Sequence, residues 1–216
     1  MKSTYAHLLR TAILAGLAAI IGAGATSVSA QTIIEEWSTV KAPPAPELKP
    51  VTIDNKTTAL LVIDMVKQTC NPQARPRCVA SIPKVQKLLN DARAKGVTVV
   101  YSLGPTGNIP DILEALAPKS GEPIVKAGPD KFVNTELEKM LKDKGISSVI
   151  AVGTLAHGGV MHTATAAALR GFKVVAPVDG MSSISPYTEQ YAAWHLATGP
   201  VFSANVTLTK IDLIRY

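Results

Sequence analysis

The sequence predicts an α/β fold: a single three-layer α/β/α domain with a mostly parallel, doubly wound sheet. Three observations support it. Apolar, β-branched runs without alternation recur along the chain, amphipathic segments with helical spacing lie between them, and the connections are short. Strands that alternate with helices in this way form a parallel sheet with helices on both faces.

The elements can be placed in order along the chain. The predicted strands cover residues 59–63, 97–101, 149–152 and 174–178, with an alternating edge strand over 206–213. The predicted helices cover residues 80–94, 110–117, 135–144, 159–170 and 186–198, three of which end near a glycine. In such sheets ligands bind at the carboxyl ends of the strands, so we expect the functional residues there.

Residues 1–30 have the features of a cleavable secretory signal. Lys2 and Arg10 precede an apolar run over residues 11–25, and small residues lead up to Ala30. A membrane anchor is the alternative, but the run is shorter than the roughly 20 residues that span a bilayer. We therefore predict cleavage after Ala30 and a periplasmic or secreted protein, not bound to a membrane once the signal is removed.

The remaining chain divides into an arm and a domain. Residues 31–56 are rich in proline and lack periodicity, which predicts an extended arm that is either disordered or packed on a neighbouring subunit. Residues 57–216 form the predicted domain.

The net charge of +6 is spread along the chain, without a basic run or interleaved aromatic residues. This pattern argues against nucleic-acid binding.

The two cysteines, Cys70 and Cys78, lie close together in a polar segment that contains proline. Neither has the Cys or His neighbours of a zinc site. In an oxidising compartment we expect one disulfide, which would hold the loop after the first predicted strand. The alternative is a reactive thiol at Cys70.

Two charged residues follow predicted strands. Asp64 comes directly after the first buried strand, where partial desolvation favours a general acid or base, although a helix cap or a salt bridge would explain it equally well. Lys126 ends a short extended stretch over 122–125 and precedes a turn. A surface role is the default for such a lysine.

A glycine-rich loop over residues 152–160 joins the third buried strand to a helix. Free backbone N–H groups at the start of that helix can face an anion or oxyanion, and Gly158 with Gly159 allows a ligand to approach closely. His157 in this loop fits a core or interface position as well as a site. Alone, the loop is a weak signal.

Together these features resemble the isochorismatase-like hydrolase superfamily over about residues 57–208. The resemblance rests on the strand and aspartate of residues 60–65, on Lys126 followed by Phe132 and Thr135, and on the glycine-rich loop. Most of that family has a cysteine at the start of the helix after the loop, which forms a triad with Asp and Lys and hydrolyses amides such as nicotinamide. Here that position is Gly159, as in the isochorismatase branch, whose loop is similar.

The resemblance implies roles for individual residues. Asp64 would be the catalytic acid, Lys126 would hold that acid and a substrate carboxylate, and Gly159 would stand at the position of the nucleophile. Leu155, Ala156, His157 and Gly158 would bind substrate. The resemblance also implies a non-proline cis peptide at Thr154–Leu155.

The predicted function is therefore that of an exported hydrolase acting on a small carboxylate with a vinyl-ether or amide-like bond. Acid–base catalysis by the aspartate suffices for a vinyl ether, because protonation of its terminal carbon lets water add without an acyl-enzyme. Two alternatives stay open: a non-catalytic binding protein on the same scaffold, and an amidase that depends on Cys70.

Cofactors and partners follow from the same comparison. We predict no cofactor and no metal, because the histidines of the predicted mature chain lack ligand spacing and the Asp and His loop of metal-binding relatives is missing. The expected partners are a small-molecule substrate and further copies of the chain in a homo-oligomer. The segment over residues 103–119 is shorter than in enzymes that bind isochorismate, so we expect a different substrate.

Overall fold

The computed structural model describes residues 32–216, so the predicted signal peptide lies outside the described residues. Residues 43–216 form one compact unit. Residues 32–42 belong to a separate unit and contain one short helix, α1 (Ile33–Glu36). Thr32 caps this helix, and the side chain of Glu35 accepts a hydrogen bond from the Thr32 backbone N–H in return.

The main unit alternates strands and helices. Its strands are β1 (Val51–Thr52), β2 (Thr58–Ile63), β3 (Thr98–Leu103), β4 (Ile124–Lys126), β5 (Ser148–Thr154), β6 (Lys173–Pro177), β7 (Met181–Ser182), β8 (Val206–Thr209) and β9 (Ile214–Arg215). Its helices are α2 (Pro76–Ala94), α3 (Leu137–Asp143), α4 (Met161–Leu169) and α5 (Pro186–Thr198). Within residues 32–216, no helix is both long and apolar enough to cross a bilayer.

Seven strands form one parallel sheet in the order β4-β3-β2-β5-β6-β8, with β7 pairing beside the end of β5. The pairings within this sheet are parallel. This confirms the predicted fold class, and β8 lies at an edge of the sheet as expected. A second, two-stranded sheet joins β1 to β9.

The core lies on both faces of the large sheet, which explains why the strands read as continuous apolar runs. In β2, Ala59, Leu61 and Ile63 pack into one buried cluster. Leu60 and Val62 point to the other face and pack into a second cluster, which includes buried residues of α2. A strand buried on both faces has no polar face, so it shows no alternation.

The structure corrects the predicted helix over residues 110–117. Two 3₁₀ turns, Ile109–Asp111 and Glu114–Leu116, replace it, and the backbone between them is extended. The segment pairs with the loop after β2: the Lys67 backbone N–H donates to the Asp111 carbonyl, and the Leu113 N–H donates to that of Met65. These tertiary hydrogen bonds use backbone groups that a continuous helix would need for itself.

Other elements differ from their predicted bounds: α2 begins at Pro76, four residues earlier, and α3 covers Leu137–Asp143, three residues fewer. The last strand of the large sheet ends at Thr209, because a 3₁₀ turn follows in which the Ile211 N–H donates to the Asp179 carboxylate at 2.9 Å. The helix predicted to begin at residue 159 begins at Met161, after a π-helical turn over Ala156–Val160. In contrast, α5 has the predicted bounds.

Residues 43–56 run along the surface of the domain. The backbone N–H of Lys49 donates to the Leu208 carbonyl at 2.9 Å, and that of Ile53 donates to the Arg215 carbonyl at the same distance. Ile53 is buried, and Leu48 packs partly against the core. This part of the predicted arm is therefore held on its own chain.

Candidate active site

A cleft of about 360 Å³ opens at the carboxyl ends of β2 and β5. These strands are neighbours in the sheet, and β2 pairs with β3 on its other side. The strands that follow β2 in the sequence are therefore added first on one side of it (β3) and later on the other (β5). The position between β2 and β5 is a topological switch point, where open α/β sheets bind ligands. The volume suits a small molecule.

Asp64 stands at the floor of this cleft, directly after β2. Its φ is 53°, a left-handed conformation that Asp tolerates better than most residues. The Ser102 hydroxyl donates to Asp64 Oδ1 at 2.9 Å. About a quarter of the side chain (24%) is exposed, so the carboxylate is oriented by the protein and yet accessible from the cleft.

Lys131 is the cation that faces Asp64. Its Nζ lies 2.7 Å from Asp64 Oδ2, and its side chain is almost completely buried (2% exposed). The same ammonium donates to the carbonyl oxygens of Ala127 at 3.2 Å and Leu103 at 3.4 Å. An ammonium has three donors, so these three acceptors satisfy it. Lys131 is thereby fixed against the carboxylate.

The structure corrects the placement predicted for Lys126. Burial alternates along β4: Val125 is buried, and its neighbours Ile124 and Lys126 are closer to solvent. The side chain of Lys126 is therefore exposed. Its charge contributes to lowering the pKa of Asp111, after larger effects from the Asn108 N–H and the Gln68 side chain. Lys126 does not line the cleft, and Lys131 occupies the position beside Asp64 instead.

Sequence reasoning missed Lys131 although one signal was present. The lysine directly precedes Phe132, one of the residues on which the family resemblance rests, and both residues are buried in the structure. A lysine is almost never fully buried without a partner. A lysine next to an aromatic residue of the family motif could therefore have been tested as the partner of Asp64.

Gly159 lies against the Asp64–Lys131 pair. A Cβ at this position would stand 3.0 Å from Ile63 Cγ2, 3.1 Å from Asp64 Oδ2 and 3.8 Å from Lys131 Cε. A side chain at position 159 would thus point at both charged groups. This is the geometry expected of the position where most of the family has its nucleophile.

The loop before Gly159 has the predicted backbone. The Thr154–Leu155 peptide is cis, as the family resemblance implies. Just before it, Gly153 has a φ of 132°, and a Cβ there would lie 2.0 Å from the Ile63 carbonyl oxygen. Only glycine permits this approach, which brings β5 close to the strand that carries Asp64.

The predicted substrate-binding residues separate into two groups. Leu155 and Gly158 line the cleft, as does Gly159. The structure corrects the prediction for the other two. Ala156 is fully buried in the core, and His157 does not line the cleft, because its Nδ1 lies 2.7 Å from the Ser183 hydroxyl.

Several residues of the cleft were not predicted, and Arg75 and Thr69 are two of them. Arg75 lines it from the loop before α2, and its Nη1 donates to the Thr154 hydroxyl at 3.5 Å. Burial lowers the pKa of Arg75, and the nearby charge of Asp64 acts in the opposite direction. Thr69 also lines the cleft, and its buried hydroxyl has no hydrogen-bond partner within the described chain.

Cys70 and Cys78 form a disulfide, which confirms the predicted pairing. The bridge joins the loop after β2 to the first turns of α2, and Arg75 lies between the two cysteines. Because the sulfur of Cys70 is part of the bridge, it is not a free thiol. This excludes the Cys70-dependent amidase while the bridge is intact.

Across residues 32–216, no cluster of three or more His, Cys, Asp or Glu side chains is arranged to hold a metal ion.

Comparison with known proteins agrees with this fold. Residues 58–209 match the family model of the isochorismatase domain. The chain therefore belongs to the isochorismatase family of hydrolases, which includes amidases.

Two curated relatives and one solved structure illustrate the similarity. A secreted isochorismatase effector of Verticillium dahliae, Isc1, is 28% identical over 144 residues, which cover 61% of this chain and 76% of the effector. The N-carbamoylsarcosine amidase of an Arthrobacter species is 26% identical over 189 residues, covering 72% of each chain. The crystal structure of an isochorismatase family protein from Desulfovibrio vulgaris superposes with a TM-score of 0.66 at 21% identity, covering 73% of this chain and 96% of the other.

Proposed function

We propose that this protein is an exported hydrolase that cleaves a vinyl-ether or amide-like bond in a small carboxylate, with Asp64 as the acid–base group and without a cysteine nucleophile. Lys131 holds the Asp64 carboxylate in place. The observation that carries the proposal is the Asp64–Lys131 pair at the floor of the cleft, with Gly159 directly beside it.

The surroundings of Asp64 suit proton transfer. Ser102 and Lys131 each contact one carboxylate oxygen, at 2.9 and 2.7 Å, so the orientation of the group is set before substrate binds. Among the described residues that line the cleft, Asp64 is the only carboxylate. A substrate in this cleft would therefore exchange its proton with Asp64.

For a vinyl ether, the balanced reaction needs one acid and one water molecule. The Asp64 carboxylate first takes up a proton from solvent and then donates this proton to the terminal carbon of the double bond, which leaves an oxocarbenium ion. Water adds to the cationic carbon and returns a proton to Asp64, and the resulting hemiketal separates into a ketone and an alcohol. No step forms a covalent enzyme intermediate, so glycine at position 159 is compatible with turnover.

For an amide-like bond, Asp64 acts first as a base. It accepts a proton from the water molecule that attacks the carbonyl carbon, and then donates that proton to the leaving nitrogen. The relative that is an N-carbamoylsarcosine amidase makes this bond type a reasonable member of a substrate panel.

Export is part of the proposal. Residues 1–30 carry the charge, apolar run and small residues of a secretory signal. The similarity to a secreted effector supports the same location. The disulfide fits an oxidising compartment, since such bridges are rare in the cytosol.

The experiment compares wild type with Asp64→Asn on a panel of small carboxylates that each contain a vinyl ether or a ureido or amide bond. The protein is recovered after export, and its intact mass shows whether it begins at Gln31. We expect wild type to hydrolyse a member of the panel and Asp64→Asn to lose at least about 100-fold in kcat, as acid–base groups contribute 10²–10⁴-fold. Circular dichroism checks that the variant is folded.

Equal rates for the two proteins would refute the role of Asp64. The second candidate function, a non-catalytic binding protein, is favoured by the glycine in place of the family's cysteine. It predicts saturable binding of panel compounds with no turnover by wild type, which would also contradict the proposed hydrolysis.

A further inference from the structure

We infer that Arg75 is the residue that recognises the carboxylate of the substrate, and that the disulfide-closed loop presents it to the cleft. This inference deepens the proposed function and rests on it only for the statement that the bound carboxylate belongs to a substrate. Its first basis is the charge of the cleft. Among residues 32–216, three charged side chains line it, namely Asp64, Arg75 and Lys131.

Asp64 and Lys131 form an ion pair at 2.7 Å, so Arg75, which also feels the charge of Asp64, has no carboxylate of its own within residues 32–216. Within residues 32–216, Arg75 has one side-chain hydrogen bond, to the Thr154 hydroxyl, and no carboxylate partner at ion-pair distance. A guanidinium has five N–H donors, so most of them are available. Burial of a charge without a partner costs free energy, and a bound anion would supply a partner for the partly buried guanidinium of Arg75.

A carboxylate is the anion that fits this arrangement. The planar guanidinium binds the two oxygens of a carboxylate with parallel hydrogen bonds. Thr69 lines the same cleft, and its buried hydroxyl has no hydrogen-bond partner within residues 32–216. A small molecule anchored in this way would extend from Arg75 towards the Asp64–Lys131 pair.

The backbone at Arg75 is held firmly. Its N–H donates to the Asn71 carbonyl at 2.9 Å, and its own carbonyl accepts from the N–H groups of Cys78 and Val79 at 3.0 and 3.3 Å. The bridge between Cys70 and Cys78 closes the loop around it. A guanidinium on a fixed backbone loses less conformational freedom when it binds an anion.

The test measures binding of benzoate and benzamide, which have the same shape and differ in charge, by calorimetry with the purified protein. Wild type should bind benzoate more tightly than benzamide. Arg75→Gln should weaken benzoate binding roughly 10- to 100-fold, the range for a hydrogen-bonded charge, and leave benzamide unchanged. Arg75→Lys should recover part of the preference for benzoate over benzamide. The lysine restores the positive charge but lacks the planar pair of N–H donors of the guanidinium.

Arg77→Gln is the matched control. Arg77 lies in the same closed loop, but it is paired with Glu189 at 2.8 Å and does not line the cleft, so its loss should leave benzoate binding unchanged. Thermal unfolding verifies that each variant is folded.

Equal affinity of wild type for benzoate and benzamide, or no benzoate binding at high millimolar concentration, would overturn the inference. Inorganic phosphate that displaces benzoate and binds more tightly would overturn the assignment to a carboxylate. Asp64→Asn separates this inference from the proposed function. If that variant keeps both its turnover and its preference for benzoate, the acid role fails while the role of Arg75 stands.

Discussion

At the scale of single residues, the site depends on how close side chains can come to Asp64. Lys131 and Ser102 occupy its two oxygens, and Gly159 leaves the remaining side free of a side chain. The role of Asp64 could be proposed from the sequence because a carboxylate follows a buried strand directly. Sequence spacing alone could not show that Lys131, rather than Lys126, contacts Asp64. The turn between the two lysines decides which ammonium group reaches the carboxylate.

We predict that Gly159→Ala lowers kcat by about tenfold or more. The added methyl would lie 3.1 Å from Asp64 Oδ2 and 3.0 Å from Ile63, so it would displace the carboxylate or block the substrate atom that meets it. Overpacking of this kind costs about 1–3 kcal/mol of stability. Kinetics at saturating substrate, with thermal unfolding in parallel, measure both effects. A folded alanine variant with unchanged kcat would show that the reacting bond does not approach this side of Asp64.

At the scale of elements, a partly buried ion pair between Arg93 and Glu122 fixes the end of α2 to the segment before β4. Arg93 donates from Nε and Nη2 to the two oxygens of Glu122 at 2.8 and 2.7 Å, and its Nη2 also donates to the Tyr101 hydroxyl at 3.0 Å. Burial alone would raise the pKa of Glu122, but hydrogen bonds from Arg93 and the Lys119 N–H outweigh it and lower that pKa. The amphipathic spacing of the sequence predicted residues 80–94 of α2, but an ion pair between distant segments leaves no periodic signal in the sequence.

The lowered pKa of Glu122 predicts a pH dependence of stability. Its contribution to the free energy of unfolding is complete above the unfolded-state value of 4.5 and is lost as pH falls through the lower folded-state value. Glu122→Gln should therefore destabilise the protein by about 1–2 kcal/mol at pH 7, and the difference from wild type should shrink at acidic pH. Urea denaturation of both proteins at a series of pH values measures this difference in the free energy of unfolding.

The exposed Glu114 provides the control for this prediction. Glu114→Gln should unfold like wild type at each pH. A Glu122→Gln difference that stays constant from pH 7 to acid would show that its cause is not the ionised pair.

At the scale of the whole molecule, the parallel sheet brings residues from distant parts of the chain to one edge. The fold class and the order of its main elements could be predicted, because strands buried on both faces and amphipathic helices have distinct patterns. The segment over residues 109–116 could not, since its backbone pairs with the loop after β2 rather than with itself. Arg75 was missed because one basic residue in a polar loop shows no pattern until the sheet brings the loop to the cleft. The homo-oligomer and the signal cleavage stay predictions.

The most direct test of the account compares Lys131→Met with Lys126→Met on a substrate found in the panel. Lys131 is buried against Asp64 and Lys126 is exposed, so the pair matches in residue type and differs in position. We expect Lys131→Met to lose about 100-fold or more in kcat per folded molecule, because Asp64 loses the group that holds it. The kcat of Lys126→Met should stay within about twofold of the wild-type value. Such a change is too small to indicate the loss of an acid–base group. Loss of activity in Lys126→Met with full activity in Lys131→Met would contradict the account.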